Sequence, residues 1–333
     1  MNVEIQSNMA HINESGMESF MKYALSKREL KRMIENGSAS FSRSKTIPEL
    51  LKLPGTHIAP TAVKSAFKSA GVNYQPKSVA HLNMRGGIGK TTASLSLATR
   101  AVQYGFKTCL VDLDPQASAT YALFPEMTED HLVAADIWEN PEELLKDSLV
   151  EVSPDLFLLP SSLDNSVLDD EWDEPSIQKK AVKQIIDNLK SFGFDLIVLD
   201  APPSLNCIVI SVIAATDTIV VPVWSDPFSV RGLDILLKET AQISSAFQRK
   251  EPLIQVLFAQ YDSRLSLSES VYQSLKKKYP KRLLTSRIRT STEFSKAIHK
   301  QESIFRRNLK HVASVDYDGY VREILSLHVP SPF

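Results

Sequence analysis

The sequence predicts an α/β fold: a mostly parallel, twisted sheet flanked by helices, preceded by a small helical N-terminal domain. Three observations carry this prediction. From Lys77 onward, apolar runs of strand length alternate with helical stretches, as in a parallel sheet with crossover helices. A glycine-rich turn, Met84-Arg85-Gly86-Gly87-Ile88-Gly89-Lys90-Thr91-Thr92, separates a predicted strand (78–83) from a predicted helix (93–103). Two later strands (108–114 and 194–200) end in aspartates, at the sheet edge where parallel sheets bind their ligands.

The first strand is Ser78 to Asn83, and the helix after the turn is Ala93 to Gln103. Thr108 to Asp114 is the second strand; Asp112 and Asp114 alternate, so both are expected on one face before Pro115-Gln116 breaks it. Glu126 to Asp155 reads as acidic helix and loop, Leu156 to Pro160 as a strand, and Leu163 to Glu174 as a polar connection. A helix over 176–191 precedes the strand Phe194 to Asp200, and Ala201-Pro202-Pro203-Ser204 follows it. Strands are predicted at 218–224, 253–259 and 282–288, and helices at 230–247, 266–278, 291–300 and 317–327.

The N-terminal residues differ. The apolar spacing predicts a helix over 17–35, closed by Gly37, and two short helices over 47–53 and 59–68 across a Pro54-Gly55 turn. Two short helices joined by a tight turn fit a helix-turn-helix, with Lys64 and Lys68 on the second, and equally a small dimerisation bundle. The expected division is 1–76 and 77–333, in keeping with about two domains for 333 residues.

The net charge of −1 is unevenly spread. Residues 126–200 hold nineteen Asp/Glu against five Lys/Arg, whereas 249–311 hold fifteen Lys/Arg against five Asp/Glu. That basic stretch points to a polyanion-binding face. Cys109 and Cys207, both in strand-like apolar contexts, exclude a disulfide framework and a cysteine-bound metal. No apolar run reaches the ~18 residues of a membrane span, and residues 1–20 lack a leader pattern, so a cytoplasmic chain is expected.

The glycine-rich turn has the chemistry of a phosphate-binding loop. Met84 stands where the strict Gly-x-x-x-x-Gly-Lys-Ser/Thr pattern has its first glycine, but the Gly-Gly-x-Gly-Lys-Thr-Thr variant lies in the required strand-to-helix context. Glycines let backbone N–H groups turn toward an anion, and a helix start adds roughly half a positive charge. Lys90 can reach the β- and γ-phosphates, and the Thr91 hydroxyl can meet Mg²⁺. Asp200, closing an apolar strand, reads as the aspartate that approaches the same cation through water.

Arg-Gly-Gly-Ile-Gly-Lys-Thr-Thr (85–92), Asp-Leu-Asp-Pro-Gln-Ala-Ser-Ala-Thr (112–120) and Asp-Ala-Pro-Pro-Ser (200–204) resemble the deviant-Walker ATPases of the ParA/MinD group. Residues 221–233 and 260–264 resemble ParA rather than MinD, and the extra N-terminal region is similar in placement to that of the longer plasmid partition ATPases of the P1 ParA and SopA type. The resemblance covers roughly 77–327. It implies ATP/ADP and Mg²⁺ as cofactors and a homodimer formed on ATP binding. Gly86, Gly87, Ile88, Gly89, Lys90, Thr91, Thr92, Pro222 and Gln260 would line the nucleotide. Thr91, Asp112 and Asp200 would surround the Mg²⁺, and Asp114 would orient the attacking water. The family's signature Lys, which reaches the partner's phosphates, is replaced by Arg85; the charge is kept, with a larger planar fork.

The resemblance further implies nonspecific DNA binding by Arg287, Arg289, Lys296, Lys300, Arg306, Arg307 and Lys310, nucleoid association, and a ParB-type adaptor that stimulates slow hydrolysis. The N-terminal region would bind operator DNA. Reversing charge at Arg287 and Arg289 is expected to abolish DNA binding and spare ATP binding. The leading expectation is a DNA partition (segregation) ATPase. The rival is a nucleotide-regulated transcriptional repressor with vestigial hydrolysis. A MinD-like positioning ATPase is disfavoured, because 317–327 is short and carries Asp318, Arg322 and Glu323.

Overall fold

The computed structural model describes residues 75–300, 303–307 and 311–325. β1 (Lys77–His81) leads through the glycine-rich turn into α1 (Lys90–Gln103), then β2 (Thr108–Asp112), α2 (Ser118–Leu123), α3 (Ala134–Ile137), α4 (Pro141–Ser148), β3 (Val150–Ser153) and β4 (Leu156–Leu159). A 3₁₀ turn at Leu163–Val167 precedes α5 (Leu168–Glu171), α6 (Pro175–Gln178), α7 (Ala181–Ser191), β5 (Leu196–Asp200), α8 (Cys207–Ala215), β6 (Thr218–Val223) and α9 (Pro227–Ala246). β7 (Leu253–Tyr261), α10 (Ser266–Lys278), β8 (Leu283–Arg289), α11 (Glu293–His299), α12 (Ile304–Arg307) and α13 (Val312–Ile324) complete the described chain.

The strands form one sheet of order β3-β4-β2-β5-β1-β6-β7-β8, parallel except for the β3–β4 pair. β2 and β5 are buried along their whole length, which explains why they read as continuous apolar runs rather than alternating ones. Alternation still decides which face each residue serves. Cys109, Val111, Ile197 and Leu199 join Val182, Ile185 and Leu189 of α7 and Val212 of α8 in one core. Leu110 and Val198 are equally buried on the opposite face, where α1 packs against β2 and β5. Each such Leu or Ile contributes about 1.5–3 kcal/mol on burial. The register sets three polar residues level at the carboxyl edge: His81 opposes Asp200, which opposes Asp112. By parity all three turn toward α1.

The fold class is as expected, with differences in detail. β2 stops at Asp112, so the alternation expected to carry Asp114 onto the same face ends two residues too early; Asp114 belongs to the turn that follows. α8 was not foreseen, and Cys207 opens this helix rather than lying in a strand. Its sequence, Cys-Ile-Val-Ile-Ser-Val-Ile-Ala-Ala, is apolar all round because it is buried nearly all round, so no helical period shows. β3 lay hidden in the acidic stretch; it is a half-exposed edge strand with Glu151 outward. The helix expected over 176–191 is two, α6 and α7, and the polar connection of 163–174 holds helical turns. The helices predicted at 17–35, 47–53 and 59–68 lie outside the described residues, as do Lys64, Lys68 and Lys310 and the side chains of Arg306 and Arg307.

Candidate active site

The loop after β1 is shaped by its glycines. Gly87 and Gly89 have φ of 74° and 93°, left-handed values that side chains with a Cβ resist. Gly89 caps α1, with no side chain bonded to the helix start and no acidic residue in the first turn. The N–H groups of that turn and the positive end of the helix dipole are left for an anion. Ile88 is buried beneath the loop, while Arg85, Gly86 and Gly87 are exposed above it. Asn83 fastens the entry: its amide donates to the Pro222 carbonyl of β6 at 2.8 Å and its Oδ1 accepts from Arg85 N at 3.0 Å.

Lys90 is buried and its Nζ donates to the Arg85 carbonyl at 3.1 Å. Burial lowers its pKa, and the carboxylates of Asp200 and Asp114 work against that shift. An ammonium drawn out of water with one carbonyl as partner is poised to accept phosphate oxygens.

The carboxylates divide the work. Asp112 is fully buried, and both its oxygens are engaged: Oδ2 accepts from the Thr120 N–H and hydroxyl at 2.8 Å each, and Oδ1 from Asp114 N at 3.2 Å. It therefore anchors the Asp114 turn to α2. Asp200 accepts from the Ser94 hydroxyl at Oδ1, at 2.9 Å, while its buried Oδ2 has no protein hydrogen-bond partner. Burial raises its pKa; the hydroxyls of Thr91 and Ser94 and the Lys90 ammonium oppose this. Burial, followed by the neighbouring Asp200, also raises Asp112. An orphaned buried carboxylate oxygen beside a threonine hydroxyl and a phosphate-type loop fits a hydrated Mg²⁺. Asp114 is half-buried; its Oδ1 caps Gln116 N at 3.0 Å, and Ser161 Oγ holds its carbonyl at 2.7 Å.

Arg85 lies across the mouth. Its guanidinium pairs with Asp226 at 2.5 Å and sits 5.8 Å from the Trp224 ring centroid. Asp226 is also the N-cap of α9, accepting from Phe228 N and Ser229 N. Pro222 is buried near the end of β6, and Gln260, at φ 52°, lies at the end of neighbouring β7, so both occupy the same sheet edge as the loop. Thr91 and Thr92 open α1, half-buried.

The C-terminal basic residues are less free than their sequence suggests. Arg287 lies between Tyr272 and Tyr261, at 4.3 and 4.8 Å from their ring centroids, and reaches Glu269 at 3.5 Å. Arg289 pairs with Asp316 of α13, which is 7% exposed, and its N–H donates to the same carboxylate. Reversing charge at these two positions would also remove these local contacts. Lys296 pairs with Glu293 one turn away and Lys300 ends α11; both are exposed.

Asn83, Ser94, Thr120, Ser161 and Asp226 escaped the sequence reading. Two carried a signal: Thr120 closes the 112–120 motif, and Asp226 stands directly before Pro227 at a helix start.

Residues 76–255 match the AAA domain family known as AAA_31. The chain is 31% identical over 200 residues to the chromosome-partitioning ATPase Soj of Thermus thermophilus, covering 60% of this chain and 75% of that protein. It is 24% identical over 245 residues to the chromosome partitioning protein ParA of Caulobacter vibrioides, covering 73% of this chain and 92% of that protein. The fold is similar to that of Cyanothece McdA in its ATP complex, with a TM-score of 0.69 and 19% identity over 78% of this chain and 99% of that one. The anion-ready loop, the paired carboxylates at the sheet edge and these likenesses agree: the chain belongs to the AAA_31 family and, within it, to the ParA/Soj partition ATPases.

Proposed function

We propose that the chain is a Mg²⁺-dependent partition ATPase whose ATP-bound homodimer holds DNA without sequence preference and lets go when a ParB-type adaptor speeds hydrolysis. The observation that carries the reading is the buried Asp200 Oδ2 without a protein partner, set beside Thr91 and Lys90 under an uncapped helix start. In this reading the loop N–H groups and Lys90 hold the phosphates. Thr91 and Asp200 hold the cation, with Asp112 beneath them fixing the Asp114 turn. Mg²⁺, when bound, neutralises charge on the β- and γ-phosphate oxygens. Asp114 points the attacking water, a positioning role that suffices for slow phosphoryl transfer. Arg85 leaves Asp226 and serves the partner's nucleotide across the dimer. Pro222 and Gln260 flank the base, and Lys296 of α11 and Lys300 at its end, with Arg306 and Arg307, contact DNA phosphates. The region 1–76 supplies operator binding and autorepression.

The test is binding of unrelated duplex DNAs with and without Mg-ATP, across a salt series. The expected result is ATP-dependent binding, similar for every sequence and falling steeply with salt. Lys296→Ala and Lys300→Ala should each flatten that slope by about one phosphate contact. Nucleotide-independent binding to a single operator would favour the repressor reading instead.

A further inference from the structure

A buried chain of hydrogen bonds runs from α13 to the carboxylate of Asp200. The Tyr320 hydroxyl lies 2.5 Å from His81 Nε2, His81 Nδ1 lies 2.9 Å from Ser94 Oγ, and Ser94 Oγ lies 2.9 Å from Asp200 Oδ1. All four residues are at most 1% exposed. They come from four elements: α13, β1, α1 and the end of β5.

The donors can be ordered by counting hydrogens. The Asp200 carboxylate can only accept, so Ser94 gives it the single hydroxyl hydrogen. Ser94 Oγ must then accept from His81, which places the ring hydrogen on Nδ1. Nε2 is left as an acceptor, and the Tyr320 O–H supplies it. The opposite tautomer would have Nδ1 compete with Asp200 for the one Ser94 hydrogen. Burial lowers the His81 pKa to about 3, so the ring is neutral and one nitrogen is free to accept.

We infer that Tyr320, His81 and Ser94 are positioning residues: a one-way donor relay that fixes Asp200 by its Oδ1 and so presents Oδ2 to the cation. This rests on the proposed ATPase reading. It accounts for the contrast between the two oxygens, one satisfied and one orphaned, within a single buried carboxylate. It also ties that setting to the helix that carries Asp316, the partner of Arg289.

The first test needs no variant. Long-range ¹H–¹⁵N correlation spectra of the full-length protein should show His81 protonated at Nδ1 and bare at Nε2; the reverse tautomer would overturn the relay. The second follows binding of a fluorescent ATP analogue as Mg²⁺ is added. Tyr320→Phe keeps the ring, and Ser94→Ala removes the last donor. Each should raise the half-saturating Mg²⁺ concentration by about tenfold or more, as loss of an outer-shell partner does, with binding in EDTA unchanged. The double variant should be no worse than Ser94→Ala alone, because both act in one chain. A wild-type Mg²⁺ response in Tyr320→Phe, or additive effects, would contradict the relay. A wild-type protein that ignores Mg-ATP would count against the ATPase reading instead, and the tautomer would still decide the relay.

Discussion

Arg85 is held by two surface groups, the Asp226 carboxylate and the Trp224 ring. The side chains of the ion pair are 43% and 24% exposed, and a pair so open to water is worth ~0–1 kcal/mol. Leaving Asp226 is therefore inexpensive, and Asp226 keeps its capping bonds when Arg85 departs. Arg85→Ala should leave the melting temperature and monomeric ATP binding close to wild type while lowering ATP-dependent dimerisation, read by light scattering, and turnover with it. Normal dimerisation and hydrolysis in that variant would show that the arginine stays at home on Asp226. Lys90, Thr91, Asp114 and Asp200 were legible because motif spacing constrains them. Ser94, His81 and Tyr320 were not, since the His81–Tyr320 contact joins residues 239 apart and no local pattern announces it. Asp112 was legible as a site residue, but the hydrogen bonds it accepts from Thr120 were not.

At the scale of elements, the end of α1 is locked to α13 through Arg100, which is 1% exposed. Arg100 donates to Asp318 and to Gln103 at 2.6 Å each, while Arg322 bonds Tyr104 and Asp318 at 2.8 Å. Rings of Tyr104 and Phe305 lie over the same guanidinium. Asp318→Ala should destabilise the fold by about 3–5 kcal/mol in denaturant unfolding, because it strands a buried charge. A loss below about 1 kcal/mol would mean that Gln103 and the rings suffice to hold Arg100. The alternating strands and their crossover helices were readable because the sheet is mostly parallel and its central strands are continuous apolar runs. α8 was not, since burial on nearly every side erases the helical period that marks an amphipathic helix. The Asp318 tie was equally hidden: an aspartate in a polar helix looks solvated until Arg100 is placed against it.

For the whole molecule, the charge asymmetry is legible in sequence but its free positive charge is smaller than the count implies. Arg287 lies between two tyrosines, while Arg289 and Lys296 are exposed but paired, with Asp316 and Glu293. No helix among the described residues is long and apolar enough to cross a membrane. The proposed account has ATP held by the glycine-shaped loop and the buried lysine, and hydrolysed by water that Asp114 directs. The most direct test is single-site: ATP turnover and ATP binding measured on wild type and Asp114→Ala. The account requires slow turnover in wild type, its loss in the variant, and unchanged ATP binding in both. Turnover that survives Asp114→Ala, or ATP bound by wild type without any hydrolysis, would contradict it.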